Sequence, residues 1–239
     1  MKRNLRCLAS ADVLVIAGTQ AACILALRLA RAGLRVVMAM RSTSPGDEVC
    51  ACLRPWLSDE QLETLPEPLR QLARASLKES LPGSERMLHV GRFARGLEDL
   101  LLDAGVRLFY DAHPAALLTA GDRATVAGAL FGGKFGLAAM RARCVIDATP
   151  DARLARMGGC RFQPCDADSL DLRYVLDCRG PAPEEPIPLS GPGLSGTIYF
   201  HANRFRGGRP SPAFGEIDVP THFAEFCLHL PPMPDDALW

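Results

Sequence analysis

The feature that most constrains this chain is the stretch from Asp12 to Arg41, DVLVIAGTQAACILALRLARAGLRVVMAMR. Val13–Ala17 is a short apolar run rich in β-branched residues, the pattern of a parallel strand buried on both faces. Gly18-Thr19-Gln20 reads as a turn. Beyond it Ala22, Leu25, Ala26 and Leu29 recur at helical spacing, and Arg28 and Arg31 fall on another face. Gly33 is placed to end that helix, because glycine accepts the left-handed backbone of a helix C-terminus. Arg35–Met40 reads as a second strand. Parallel strands joined through a helix cross over right-handed, so the stretch predicts the first half of a doubly wound α/β sheet.

The rest of the chain extends this pattern. Pro45–Pro55 reads as a loop, and Ser58-Asp59-Glu60-Gln61 as a capping box that opens a helix. Leu69–Ser80 is a second helical piece. Gly91–Gly105 is a strongly amphipathic helix, with Phe93, Leu97, Leu100, Leu101 and Ala104 on one face, leading into a strand over Val106–Tyr110. Ala116–Arg143 alternates short strands with glycine turns, a β-meander with GGKFG (Gly132–Gly136) at one tip. CVIDATP (Cys144–Pro150) returns to a buried strand, followed by a short helix over Asp151–Met157 for which Asp151 is the expected N-cap. Pro181–Pro192 is expected to be neither regular helix nor central strand. GTIYFHANRF (Gly196–Phe205) reads as a strand of a second region.

Bulk properties exclude some functions. The 27 basic and 27 acidic residues give a formal net charge of +0, which argues against a general binder of nucleic acid or anionic membrane. No run of about 20 apolar residues could span a bilayer. The N-terminal MKRNLR followed by an apolar run resembles an export signal, but Asp12 interrupts it and the period then turns helical. Nine cysteines, an odd number without a CxxC pair, read as reduced and mostly buried thiols of a cytoplasmic protein. Cys50-Ala-Cys52 and the Cys160/Cys165 pair lack a diagnostic metal spacing, so no metal is expected.

With these elements in order, the chain resembles the N-terminal half of FAD-dependent oxidoreductases with the two-dinucleotide-binding-domain flavoprotein fold, in particular the group that carries IDATGD after a β-meander. Three stretches carry the resemblance: Asp12–Arg41, Arg92–Leu117 and Gly132–Phe162. The last is the most specific, because a meander followed by IDAT is an uncommon combination. The resemblance implies a Rossmann-like FAD/NAD(P)-binding parallel sheet with an inserted β-meander over residues 1–162. Residues 163–239 would form a partial substrate or interaction region.

The resemblance also places the cofactor. The family's G-x-G-x-x-G pattern, or its Ala-ended form, falls on Ala17, Thr19 and Ala22, with Gly18, Gln20 and Ala21 between them. The first position serves the tight turn, the second the close approach of backbone to pyrophosphate, and the third helix–strand packing. Thr19 puts a branched side chain where the pyrophosphate would pass, and its hydroxyl could donate to phosphate or its bulk could exclude it. The acid that would hold the adenosine ribose falls at Met40, which cannot accept those hydrogen bonds. Arg41 could meet a 2′-phosphate instead, which makes NADP the alternative ligand, or it could be a solvated surface residue beside a core methionine. The adenine contact carried over is main chain around Pro114 and Ala115. Ala148-Thr149-Pro150 matches the family's stretch beside the flavin, with Pro150 replacing a glycine and removing a backbone donor.

Catalytic residues are not assigned by the sequence. Candidates are His113, His201, His222, His229, Tyr199 and Arg204, and His201 with Arg204, Arg206 and Arg209 could bind a carboxylate substrate. Cys50 and Cys52 lack the CxxxxC spacing of a redox disulfide. Three functions follow as expectations. One is an FAD-dependent oxidoreductase acting on a small organic substrate, with impaired cofactor binding. Another is a non-catalytic flavoprotein-like subunit that supports a partner chain or a homo-oligomer. The third is an NADP-type nucleotide binder.

Overall fold

A computed structural model of the chain describes residues 5–78, 86–121, 125–163, 170–203 and 221–231. In chain order the elements are β1 (Arg6–Ile16), α1 (Gln20–Arg31), β2 (Val36–Ala39), α2 (Asp47–Cys50), β3 (Trp56–Leu57), α3 (Asp59–Thr64), α4 (Leu69–Ala75) and β4 (Arg86–Met87). There follow α5 (Val90–Asp103), β5 (Arg107–Phe109), β6 (His113–Thr119), β7 (Val126–Gly133), β8 (Gly136–Asp147), α6 (Arg153–Met157), β9 (Leu170–Arg179), β10 (Ile187–Gly191), β11 (Leu194–Asn203) and β12 (Thr221–Leu230). Two compact units divide the chain: residues up to Ala51 with Gly91–Phe162, and Cys52–Val90 with residues from Gln163 onward. Residues 52–90, read from the sequence as part of the first domain, therefore group with the second unit.

The first unit is built on a six-stranded sheet in the order β5-β2-β1-β8-β7-β6. Strands β5, β2, β1 and β8 run parallel, and β7 and β6 add antiparallel to that side. Leu14, Ile16, Val37, Phe131 and Met140 lie in its core. Strand β1 begins seven residues before the expected Val13. The reason lies in its neighbours: β2 pairs with it only from Val13 onward, whereas β8 pairs with it from Arg6. The continuous apolar run appears only where the strand is flanked on both sides. The last meander strand and the expected CVID strand are likewise one strand, β8, which pairs with β7 through its first half and with β1 along most of its length.

Helix α1 ends in a Schellman motif. Gly33 has φ +86, its N–H donates to Ala30 O at 2.9 Å, and the Leu34 N–H donates to Leu29 O at 3.2 Å. Its buried face is Ala22, Cys23, Ile24, Ala26 and Leu27, while Leu25 and Leu29 are only half-buried. The expected stripe is off by about one position, because small Ala and Cys give a weaker periodic signal than Leu. Helix α5 follows expectation more closely: Phe93, Leu97 and Leu101 are buried, and Leu100 and Ala104 flank them half-buried.

The second unit contains a four-stranded antiparallel sheet in the order β10-β11-β12-β9. It also holds the β3/β4 pair and helices α3 and α4. The capping box is formed: Ser58 Oγ accepts the Gln61 N–H at 3.1 Å, and Gln61 Oε1 accepts the Ser58 N–H at 2.9 Å. Within Pro181–Pro192, Ile187–Gly191 forms β10, an edge strand, so the segment holds neither regular helix nor central strand, as expected. Pro188 is tolerated there because β10 is an edge strand, where a missing N–H need not face a partner. Pro45–Pro55 is not all loop, since it holds α2. The cysteine expectation is corrected as well: Cys23 is buried, whereas Cys7, Cys52, Cys144 and Cys160 are exposed. Cys165, Arg204, Arg206 and Arg209 lie outside the described residues. Among the described residues no helix is long and apolar enough to cross a membrane.

Candidate functional site

Strand β1 sits between β2 and β8, where the strand order reverses. In open α/β sheets ligands bind outside the carboxyl ends of the strands at such a switch point. Three chain segments meet there. The Ala17 N–H donates to Ala39 O at 3.1 Å, and the Ala148 N–H donates to Ile16 O at 3.0 Å. The turn at Gly18, the end of β2 and the segment after β8 therefore share one edge of the sheet.

Ala17 is buried and is not among the non-glycine residues with positive φ, which among the described residues are Leu53, Asp111 and Ala152. The tight turn is thus made without a left-handed residue at that position. Gly18 also lacks a positive φ. A Cβ there would meet the ends of the Asp47 and Ser42 side chains, which would have to shift to admit it. The Gly18 carbonyl accepts the N–H groups of Gly46 and Asp47, at 2.7 and 2.9 Å. The glycine between the first two motif positions is therefore packed against the chain's own loop.

Thr19 is the N-cap of α1, and its Oγ1 accepts the Ala22 N–H at 3.2 Å. The Gln20 N–H donates to Glu48 Oε2 at 2.8 Å. Of the first three amides of α1, those of Gln20 and Ala22 are thus committed to side chains of this chain, while that of Ala21 belongs to an exposed residue. A helix N-terminus attracts anions through such amides and its dipole. Here a carboxylate already occupies the first of them. Sequence reasoning missed Glu48, Asp47 and Ser42. The available signal was the adjacent acids after Pro45-Gly46, in the loop directly following the second strand.

Met40 is 1% exposed, with its N–H donating to Phe109 O and its carbonyl accepting the Ala112 N–H, both at 2.9 Å. It is a core residue, and Arg41 beside it is exposed. Pro114 is buried and Ala115 exposed, and the β6–β7 register shifts between Pro114 and Ala116. Ala115 thus sits at a break in the ladder. The IDATP segment caps α6. Asp147 Oδ2 accepts the Ala155 N–H at 2.9 Å, and Thr149 Oγ1 accepts the Arg153 N–H at 2.8 Å. Asp147 Oδ1 holds Thr149 in place through its N–H and its hydroxyl, at 3.1 and 2.6 Å. The expected N-cap, Asp151, instead pairs with Arg153 at 2.7 Å, while the N-cap position is Ala152. Pro150 is exposed beside them.

The sequence profile described as FAD dependent oxidoreductase matches residues 12–170, well over half the chain. The chain belongs to the FAD-dependent oxidoreductase family. Solved structures of similar fold include a geranylgeranyl bacteriochlorophyll reductase-like protein of Thermoplasma acidophilum, at 15% identity and a TM-score of 0.55 over 91% of this chain and 56% of that one. A flavoprotein/dehydrogenase from Cytophaga hutchinsonii is 16% identical, with a TM-score of 0.54 over 91% of this chain and 56% of its own. An anhydrotetracycline hydroxylase from Streptomyces rimosus is 15% identical, with a TM-score of 0.54 over 91% and 45%. This chain therefore spans about half the length of these proteins. No curated protein matches it by sequence.

Family membership assigns FAD as the cofactor. The backbone path of an FAD-family cradle is present: a parallel strand, a turn, a helix opening at the switch point, and a second strand. As arranged, however, the side chains around it do not fit a diphosphate. Glu48 holds the Gln20 amide, Thr19 replaces the second glycine, and Asp47 adds a second acid beside Gly18. Met40 offers no acceptor to a ribose.

The candidate histidines divide by unit and by burial. His113 pairs with Asp111 at 2.9 Å and His229 with Asp171 at 2.6 Å, both at exposed positions. His222 Nδ1 lies 3.1 Å from Gly180 O. In the second unit, His201 and Glu225 are both buried, with Nε2 and Oε2 3.2 Å apart. The Trp56 ring stacks on His201 at 3.9 Å. Arg54 Nε and Arg173 Nη1 lie 3.3 and 3.5 Å from Glu225 Oε1, close enough for ion pairing but without hydrogen-bond geometry. Tyr199 is exposed and lines a cavity of about 220 Å³ with Phe200, His201 and the Pro183–Pro186 loop. Glu225, Trp56, Arg54 and Arg173 were missed. Glu225 shares a strand face with Phe223, so the signal was a charge in register with buried residues.

Proposed function

We propose that this chain serves FAD-dependent redox chemistry on a small organic molecule, with its hold on the cofactor weakened. The observation that carries this reading is the β1–α1–β2 cradle at the switch point within a chain of the FAD-dependent oxidoreductase family. The weakening comes from Met40: a buried methionine in place of a charged acceptor removes about 1.5–3 kcal/mol of binding, one to two orders of magnitude in affinity.

The test is flavin content. Purified protein is expected to carry substoichiometric FAD, seen as oxidised-flavin absorption, and to take up more on reconstitution. A colourless protein that gains no flavin when reconstituted rejects this reading. That result would favour the other one, a non-catalytic flavoprotein-like subunit, which the commitment of the Gln20 amide to Glu48 supports.

A further inference from the structure

We propose that Glu48 is a built-in competitor of the FAD diphosphate at the start of α1, an inference that rests on the FAD reading above. Glu48 lies far from Gln20 in sequence, yet its carboxylate accepts the first helical N–H at 2.8 Å. Thr19 already caps the helix through the Ala22 amide, and Glu48 adds a second side-chain acceptor there. What the carboxylate supplies is negative charge at the positive end of the helix dipole, the service a phosphate performs in a dinucleotide site.

The loop that carries Glu48 is fastened to the same turn. The N–H groups of Gly46 and Asp47 both bond the Gly18 carbonyl, and the space left by the missing Gly18 Cβ is taken by Asp47 and Ser42. A diphosphate entering along the backbone of the turn meets two carboxylates, so it cannot take the Gln20 amide while Glu48 holds it. The cost of displacing the loop is limited for two reasons. Helix α2 is only four residues long, and such a helix has little stability of its own. The knot is also imperfectly satisfied, because Ser42 Oγ and Asp47 Oδ1 are buried without a hydrogen-bond partner, and release would return both to water. Glu48 therefore sets a threshold: the loop yields only to a ligand whose remaining contacts outweigh the Glu48–Gln20 bond.

The experiment is a titration of the full chain with FAD, followed by flavin fluorescence, for wild type, Glu48→Gln and Glu48→Ala. Glu48→Ala is expected to bind FAD about tenfold or more tightly than wild type, since a hydrogen bond to a charged group is given up by the competitor. Glu48→Gln, which keeps the shape and loses the charge, is expected to fall between them. Hydrogen exchange at the Gln20 amide, without FAD, is expected to be faster in Glu48→Ala than in wild type. Binding that is measurable but unchanged or weaker in Glu48→Ala overturns the competitor and leaves the FAD reading intact. No FAD binding by any of the three proteins overturns both. Gln20 exchange equally fast in wild type and Glu48→Ala also overturns the proposal.

Discussion

Gly18 does not adopt a left-handed backbone and lies instead against the Asp47 and Ser42 side chains of the chain's own loop. Cys23, one turn into α1, is fully buried, and burial pushes its thiol up to about 12. The thiolate is the reactive form, so Cys23 is expected to resist alkylation at mildly alkaline pH in the native protein. Cys7, Cys144 and Cys160 are exposed and are expected to label, with mass spectrometry of tryptic peptides reading the difference. Rapid native labelling of Cys23 would mean that α1 does not pack as described. Asp12 offers a titration instead. Its side-chain hydrogen bonds with the Arg35 guanidinium, at 2.9 and 3.1 Å, hold its pKa at about 2 rather than 3.8. A depressed carboxylate contributes stability that is fully present above 3.8 and is lost as pH falls through about 2. Carbon-detected NMR is expected to place the Asp12 midpoint near that value and to move it back up in Arg35→Ala. A midpoint unmoved by that substitution would remove Arg35 as the cause.

At the scale of elements, the IDATP segment shows how a family motif can be legible while its role here is not. The order strand, turn, helix was clear from the residue pattern. Which acid caps α6 was not, because Asp147 and Asp151 both precede it and only the path of the turn decides which reaches the free amides. Asp147 accepts from Thr149 twice and from Ala155 once, so Asp147→Ala is expected to cost about 1–3 kcal/mol. Thr149→Ala removes one cap and is expected to cost about 0.5–2 kcal/mol. Asp151→Asn touches an exposed pair with Arg153 and is expected to stay within about 0.5 kcal/mol. Urea unfolding of the three variants checks the ranking, and an Asp151 variant that costs most would restore the sequence-based reading. Helix α5 was easy to read because its large residues Phe93, Leu97 and Leu101 fall four apart on one stripe. In α1 the same geometry is carried by Ala22, Cys23 and Ala26, which patterns of hydrophobicity resolve poorly.

At the scale of the whole molecule, the first unit was legible because each of its two segments carries strong local patterns: strand, helix and strand up to Met40, then an amphipathic helix and a meander from Gly91 onward. The second unit was not. It combines Cys52–Val90 with residues from Gln163 onward, and no local pattern in either segment reports the other. Its core shows the difficulty. Trp56 packs with Met87 and Phe223, stacks on His201 at 3.9 Å with planes 15° apart, and lies within 5.9 Å of the Arg54 guanidinium. Only the assembled sheet brings these residues together, so a lone tryptophan between Pro55 and Leu57 carried no signal. The assembly makes a definite demand on Trp56. It is 8% exposed, so Trp56→Ala is expected to cost about 3–5 kcal/mol, and Trp56→Phe distinctly less, because a ring still covers His201. The effect belongs to the four-stranded sheet, where β11 and β12 pair through His201 and Phe223. Hydrogen exchange is therefore expected to lose protection along β9, β11 and β12 in Trp56→Ala and to keep most of it in Trp56→Phe. If those amides exchange at the wild-type rate in both variants, Trp56 does not join the two segments of this unit, and the segment around residues 52–90 folds on some other support.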